Sequence, residues 1–155
     1  MQSCSSQSRS DQPCSNPARF SLAFGKQQRL LTPREFKAVF DCALHKISHR
    51  SLLLLAIPGA GAHSRLGLVV AKKNAKLAVQ RNRLKRLLRE SFRHHQHELQ
   101  GVDIVALVKP GLWQMSNVEI NAVIDQQWQR LLKSMQKEQK LAAEQPSNPQ
   151  QEVLA

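Results

Sequence analysis

Between residues 65 and 93 the chain carries ten basic side chains, Arg65, Lys72, Lys73, Lys76, Arg81, Arg83, Lys85, Arg86, Arg89 and Arg93, against one acid, Glu90. That segment holds +9 of the formal +12 of the 155-residue chain, so the excess charge is local. A localised basic patch suits a polyanion, either nucleic acid or an anionic membrane surface. Arginine predominates from position 81 onward, and guanidinium grips phosphate as a fork and stacks on bases, where ammonium offers mainly a point charge. Asn82, between two arginines, adds an amide that both donates and accepts, suited to a 2′-hydroxyl or a base edge. Cations near a helix start oppose the macrodipole, at ~0.3–1 kcal/mol each. A helix face that is merely solvated interleaves Glu at i±4, and here only Glu90 is available.

Other chemistry is thinly represented. His94 and Glu98 stand at i, i+4 with His95 and His97 nearby, but a metal site needs further fixed ligands, so these histidines are expected to face solvent. There is no Ser/His/Asp set and no Gly-rich phosphate loop, and Glu35, Asp41, Glu90, Glu98 and Asp103 do not suggest a protein nuclease centre. No residue is therefore assigned a catalytic or metal-binding role. Cys4, Cys14 and Cys42 are odd in number and widely spaced, and read as free thiols.

The basic residues need a helix to array them, and residues 77–99 supply the pattern. Leu77, Leu84, Leu87, Leu88 and Phe92 fall within an arc of roughly 140°, leaving Asn82, Lys85, Arg86, Arg89 and Arg93 on the opposite arc. Upstream, Thr32-Pro33-Arg34-Glu35 opens a helix running to about Ala43, with Thr as N-cap, Pro at the first position and Glu closing a capping box. Phe36 and Phe40 share one of its faces, with Val39 beside them. Leu52–Ile57 and Leu66–Ala71 read as strands, and the Gly-rich connection between them predicts a hairpin pair. Val102–Val108 is a third strand after a stop at Gly101.

Ser116-Asn117-Val118-Glu119 opens a last helix bearing Ile120, Val123, Ile124, Trp128, Leu131, Leu132 and Met135. The order is α-β-β-α-β-α, a single α+β domain of one sheet with packed helices. Residues 1–19 are a Ser/Gln-rich arm expected to be disordered, 20–136 form the folded body, and 137–155, with Pro146 and Pro149, are expected to be a disordered tail. The longest apolar run, Leu52–Ile57, is far short of the ~20 residues of a membrane span. The N-terminal residues also lack the apolar stretch of a secretory signal, which predicts a cytoplasmic protein. The basic helix lies between two strands whose fold would bury its apolar side, which argues against a lipid surface.

The run Gly67–Arg93, G-L-V-V-A-K-K-N-A-K-L-A-V-Q-R-N-R-L-K-R-L-L-R-E-S-F-R, resembles the signature of the protein subunit of bacterial ribonuclease P. Its most specific part is R-N-R followed by K-R-x-x-R-E-x-F. Arg29–Phe40 is similar to that family's first helix with its F-x-x-V-F pair, and Val102-Asp103-Ile104-Val105 with Lys109-Pro110-Gly111 to its later strand. The resemblance covers about residues 22–135; both tails and the Pro58-Gly59-Ala60-Gly61-Ala62-His63 connection depart from it.

The resemblance implies an α/β sandwich with a left-handed strand–helix–strand crossover. It implies a protein that joins a large catalytic RNA and promotes endonucleolytic removal of the 5′ leader from precursor tRNA. The RNA would carry catalysis and hold Mg²⁺; the protein alone would bind no cofactor. Arg81, Asn82, Arg83, Lys85, Arg86, Arg89 and Arg93 would face the catalytic RNA, with Lys72 and Lys73 extending that surface. Phe36 and Phe40, with Arg65, would serve the single-stranded leader, although each ring is equally readable as core. Two rivals carry the same basic helix: a structural RNA-binding protein such as a ribosomal one, and a DNA-binding domain with the helix in a major groove.

Overall fold

Every position of Val102–Val108 except Leu107 is buried, the mark of a strand covered on both faces. It sits inside the sheet of the computed structural model, which describes residues 24–143. In chain order the elements are α1 (Pro33–Asp41), β1 (His45–Ser48), β2 (Leu52–Pro58), β3 (Arg65–Val70), α2 (Ala78–His95), β4 (Val102–Val108) and α3 (Asn117–Ala143). Short 3-10 turns occupy Lys26–Gln28 and Leu112–Gln114. The arm 1–19, Cys4, Cys14, Pro146 and Pro149 lie outside the described residues; Cys42 is a free, exposed thiol.

The sheet order is β1-β2-β4-β3, with β2 antiparallel to both neighbours and β3 parallel to β4. The expected hairpin of the strands at 52 and 66 is therefore not formed, because β4 lies between them. β4 needs cover on both edges as well as both faces, whereas β3, with Gly67 and half-buried Leu68, Val69 and Val70, tolerates an edge. β1 is a further correction, since the sequence reading has no strand before Leu52. It was hidden because an inward His45 replaces the usual apolar residue; its Nδ1 meets Ser134 Oγ at 2.9 Å and its Nε2 lies 3.0 Å from Glu138 Oε2.

Alternation along the strands separates two cores. Leu52, Leu54 and Ala56 of β2, Leu66 of β3, and Ile104, Ala106 and Val108 of β4 face α2 and α3, meeting Leu84, Leu88, Phe92, Ile120, Ile124, Trp128 and Leu131. Leu55 and Val105 point to the other face, where Leu30 and Val39 of the N-terminal segment cover them. Helix α1 thus lies on one side of the sheet, and α2 and α3 on the other.

Both capping boxes form as expected. Glu35 N–H donates to Thr32 Oγ1 at 3.4 Å and Thr32 N–H to Glu35 Oε2 at 3.0 Å; Ser116 N–H donates to Glu119 Oε2 at 2.8 Å and Glu119 N–H to Ser116 Oγ at 3.3 Å. Helix α2 ends at His95 rather than Leu99, because Gln96 and Leu99 turn into the protein and the Gln96 carbonyl accepts from Ser64 Oγ. Helix α3 runs to Ala143, so residues 137–143, expected in the tail, belong to the helix. Glu138, held by His45, anchors that extension.

Candidate nucleic-acid interface

Helix α2 has no acid in its first turn, and its N-cap is Leu77, which offers no side-chain acceptor. Only Gln80 Oε1 reaches back, to Leu77 N–H at 3.3 Å. Exposed Leu77 sits where Ser, Thr or Asp would normally cap, with exposed Val79 two residues on, so no side-chain oxygen of the N-cap accepts from the first-turn N–H groups. The preceding loop is pinned at both ends. Asn74 Nδ2 donates to the Val108 carbonyl at 2.6 Å, and Arg81 Nη1 donates to the carbonyls of Ala75 and Lys76 at 2.9 and 2.8 Å. Lys72 and Lys73, between the end of the preceding strand and Asn74, stand exposed.

Arg83 is likewise engaged within the protein. Its Nε donates to Asn117 Oδ1 at 2.7 Å, and its other nitrogens to the carbonyls of Trp113 and Met115 at 3.4 and 3.0 Å. Arg81 and Arg83, expected to face RNA, thus also make hydrogen bonds within the protein that hold the start of α2 in place. Their charge still adds to the field of this face. Asn82 and Arg86 are exposed, Lys85 and Arg89 half-buried, and none of these four side chains has a partner among the described residues. Arg93 pairs with Glu90 at 2.8 Å.

On the other side of the sheet, Leu31, Pro33, Phe36, Lys37, Phe40 and Val69 line an apolar groove of about 520 Å³ between α1 and edge strand β3. The two phenylalanines differ. Phe40 is 43% exposed, whereas Phe36 packs closely against Gly67, where a Cβ would come within 2.5 Å of its ring. A glycine inside a strand signals such a close approach, which the sequence reading did not use.

Arg65, expected at the leader site, is held by two carboxylates. Its Nε donates to Asp103 Oδ1 at 2.8 Å and its Nη2 to Asp103 Oδ2, while Nη1 reaches Glu35 Oε1 at 2.6 Å. The Asp103 side chain is 7% exposed, and its hydrogen bond to the guanidinium keeps Arg65 more firmly protonated than usual. The network ties the first turn of α1 to the sheet, so Arg65 positions the groove rather than standing in it as a free cation.

Backbone N–H groups of Thr32 and Leu31, with a smaller contribution from Arg65, hold the Glu35 carboxyl at about 2. Because its unfolded value is 4.5, the unfolded chain takes up a proton first as pH falls. The stability from Glu35 is fully present above pH 4.5 and lost towards pH 2. Urea unfolding of wild type and Glu35→Gln should therefore differ near neutral pH and converge across that window; a constant gap would contradict the assignment.

His94, His95, His97 and Glu98 are not brought together. His94 Nε2 lies 3.5 Å from Glu90, while half-buried His95 stacks on Trp128 and bonds the Ser91 carbonyl, contrary to the solvent-facing expectation. Among the described residues no group of three or more His, Cys, Asp or Glu side chains could hold a metal ion, and no helix is long and apolar enough to cross a membrane.

A four-stranded α+β domain with one cationic helix face and an apolar groove across the sheet defines a class, the small basic RNA-binding proteins. Residues 24–132 match the model of the Ribonuclease P family. The "Ribonuclease P protein component" of Pseudomonas aeruginosa is 51% identical over 111 residues, 72% of this chain and 82% of that protein. The protein of the same name from Azotobacter vinelandii is 51% identical over 72% of this chain and 85% of its own length. The solved ribonuclease P protein of Thermotoga maritima superimposes with a TM-score of 0.58 at 27% identity, covering 66% of this chain and 96% of that one. The chain belongs to the ribonuclease P protein family, and is a protein subunit of the endoribonuclease that matures tRNA 5′ ends.

Proposed function

We propose that the outer face of α2, with the Lys72–Lys73 loop, binds the catalytic RNA, and that the Phe36–Phe40 groove takes the single-stranded 5′ leader of precursor tRNA. The observation that carries this reading is the division of labour across the sheet. Cations without internal partners lie on the α2 side, and an open groove with an exposed aromatic ring lies on the α1 side. Lys72 and Lys73 follow β3, whose Val69 lines the groove, so the loop joins the two surfaces. A basic surface plus an aromatic platform is what single-stranded RNA requires. In this reading the RNA supplies catalysis and the Mg²⁺, the protein supplies binding, and the assembly works in the cytoplasm.

Reconstitution with the cognate RNA and a precursor tRNA at low Mg²⁺, with and without the protein, tests it: cleavage should depend on the protein. Recovery of ribosomal RNA from a pulldown, with no stimulation of cleavage, would favour a structural RNA-binding protein instead. Arg86→Ala with Arg89→Ala should lower the salt slope of binding to the catalytic RNA by about 1.8, taking ~0.9 per phosphate contact in a duplex. An unchanged slope would remove those residues from the interface.

A further inference from the structure

Arg130, Lys133, Lys137 and Lys140 of α3 are spaced 3, 4 and 3 apart and are all exposed. Ile120, Ile124, Trp128 and Leu131 bury the opposite side of the helix. Counting three and four residues either way from Arg130, Lys133 and Lys137 finds no acid, and none of the three side chains has a partner among the described residues. Lys140, in the last turn, suits the helix dipole, but like charges at this spacing weaken a helix, so Arg130, Lys133 and Lys137 lack an internal reason.

Their placement supplies one. Arg83 reaches Asn117 and Ser91 reaches Asp125, each 34 residues on, so α2 and α3 run side by side in the same direction. At that offset Arg93 lies level with Gln127, and Arg130 begins about one turn beyond the end of the α2 column. Both helices pack on the same face of the sheet, so their outer faces look the same way. The acids along the seam are engaged: Glu90 with Arg93 and His94, Asp125 with Ser91. Glu138 turns to His45. Glu144, four residues past Lys140, lies outside the described residues.

We propose that Arg130, Lys133 and Lys137 form a second contact for structured RNA, extending the α2 face along α3 by about 10 Å, at 1.5 Å per residue. The inference rests on the reading that α2 binds the catalytic RNA, and continuity with that face selects RNA as the partner. The test uses the full-length protein with Arg130→Gln, Lys133→Gln and Lys137→Gln combined, titrated with the catalytic RNA across a salt series. Glutamine keeps helix propensity, and circular dichroism confirms the fold. The salt slope should fall by about 2 to 3, at ~0.7–0.9 per phosphate contact. An unchanged slope and affinity, alongside the loss expected of Arg86→Ala/Arg89→Ala, would overturn the α3 contact while leaving the α2 reading intact. No change in either variant would overturn both.

Discussion

Arg65→Ala is expected to lose about 3 kcal/mol of folding stability, within the ~3–5 kcal/mol typical of removing one partner from a buried ion pair. The substitution leaves the Asp103 carboxylate in place, 7% exposed, on a strand buried on both faces. It also releases Glu35, and with it the tie between α1 and the sheet. Against a total of ~5–15 kcal/mol for a domain, that is a large share. Urea unfolding measures it directly, and Arg65→Ala with Asp103→Ala should recover part of the loss, since the double variant no longer strands a charge. A single-variant cost below about 1 kcal/mol would mean water reaches Asp103 freely and the network does not order α1.

Gly67→Ala should damage the groove with less harm to the fold. Its Cβ would lie 2.5 Å from Phe36 Cε1, 2.9 Å from Cζ and 3.0 Å from Leu30 Cδ1, so the ring must swing away. Overpacking of this kind costs ~1–3 kcal/mol. The displaced ring enters the groove shared with Phe40 and Val69. If one stacked base worth ~1–3 kcal/mol is lost, KM for precursor tRNA with a long leader rises roughly tenfold or more, with much less change for a very short leader. Phe40→Ala should show the same leader-length dependence with little loss of stability, since its ring is already 43% exposed. Equal effects on long and short leaders in both variants would show that the groove holds no leader.

Much of this was legible in the linear chain because its causes are local. The capping boxes at Thr32 and Ser116 span only four residues, the apolar stripe of α2 repeats with the helical period, and β4 is an apolar run interrupted only at Asp103. The concentration of charge in residues 65–93 is a property of sequence alone, and so is the resemblance in R-N-R and K-R-x-x-R-E-x-F that the family match bears out. The register of β1 was not legible, since a four-residue strand whose inward residues are a histidine and a single isoleucine carries too few apolar positions to show its period.

What each charged group does was decided only by tertiary structure. Arg65 meets Asp103 across 38 residues and Glu35 across 30, and Arg83 meets Asn117 across 34. Composition makes every one of these side chains cationic, yet the fold gives Arg65, Arg81 and Arg83 hydrogen-bond partners within the protein and gives Lys72, Lys73, Lys85, Arg86 and Arg89 none among the described residues. The same holds for the two aromatic rings, which are equivalent on the α1 wheel until Gly67 takes Phe36 and solvent takes Phe40. Sequence determined where the charge is and which helix carries it. Arg81 finds its carbonyls five and six residues back, but for Arg65 and Arg83 only the packing of distant segments decided the partner, because a guanidinium's partner is set by proximity in space and no periodicity encodes it.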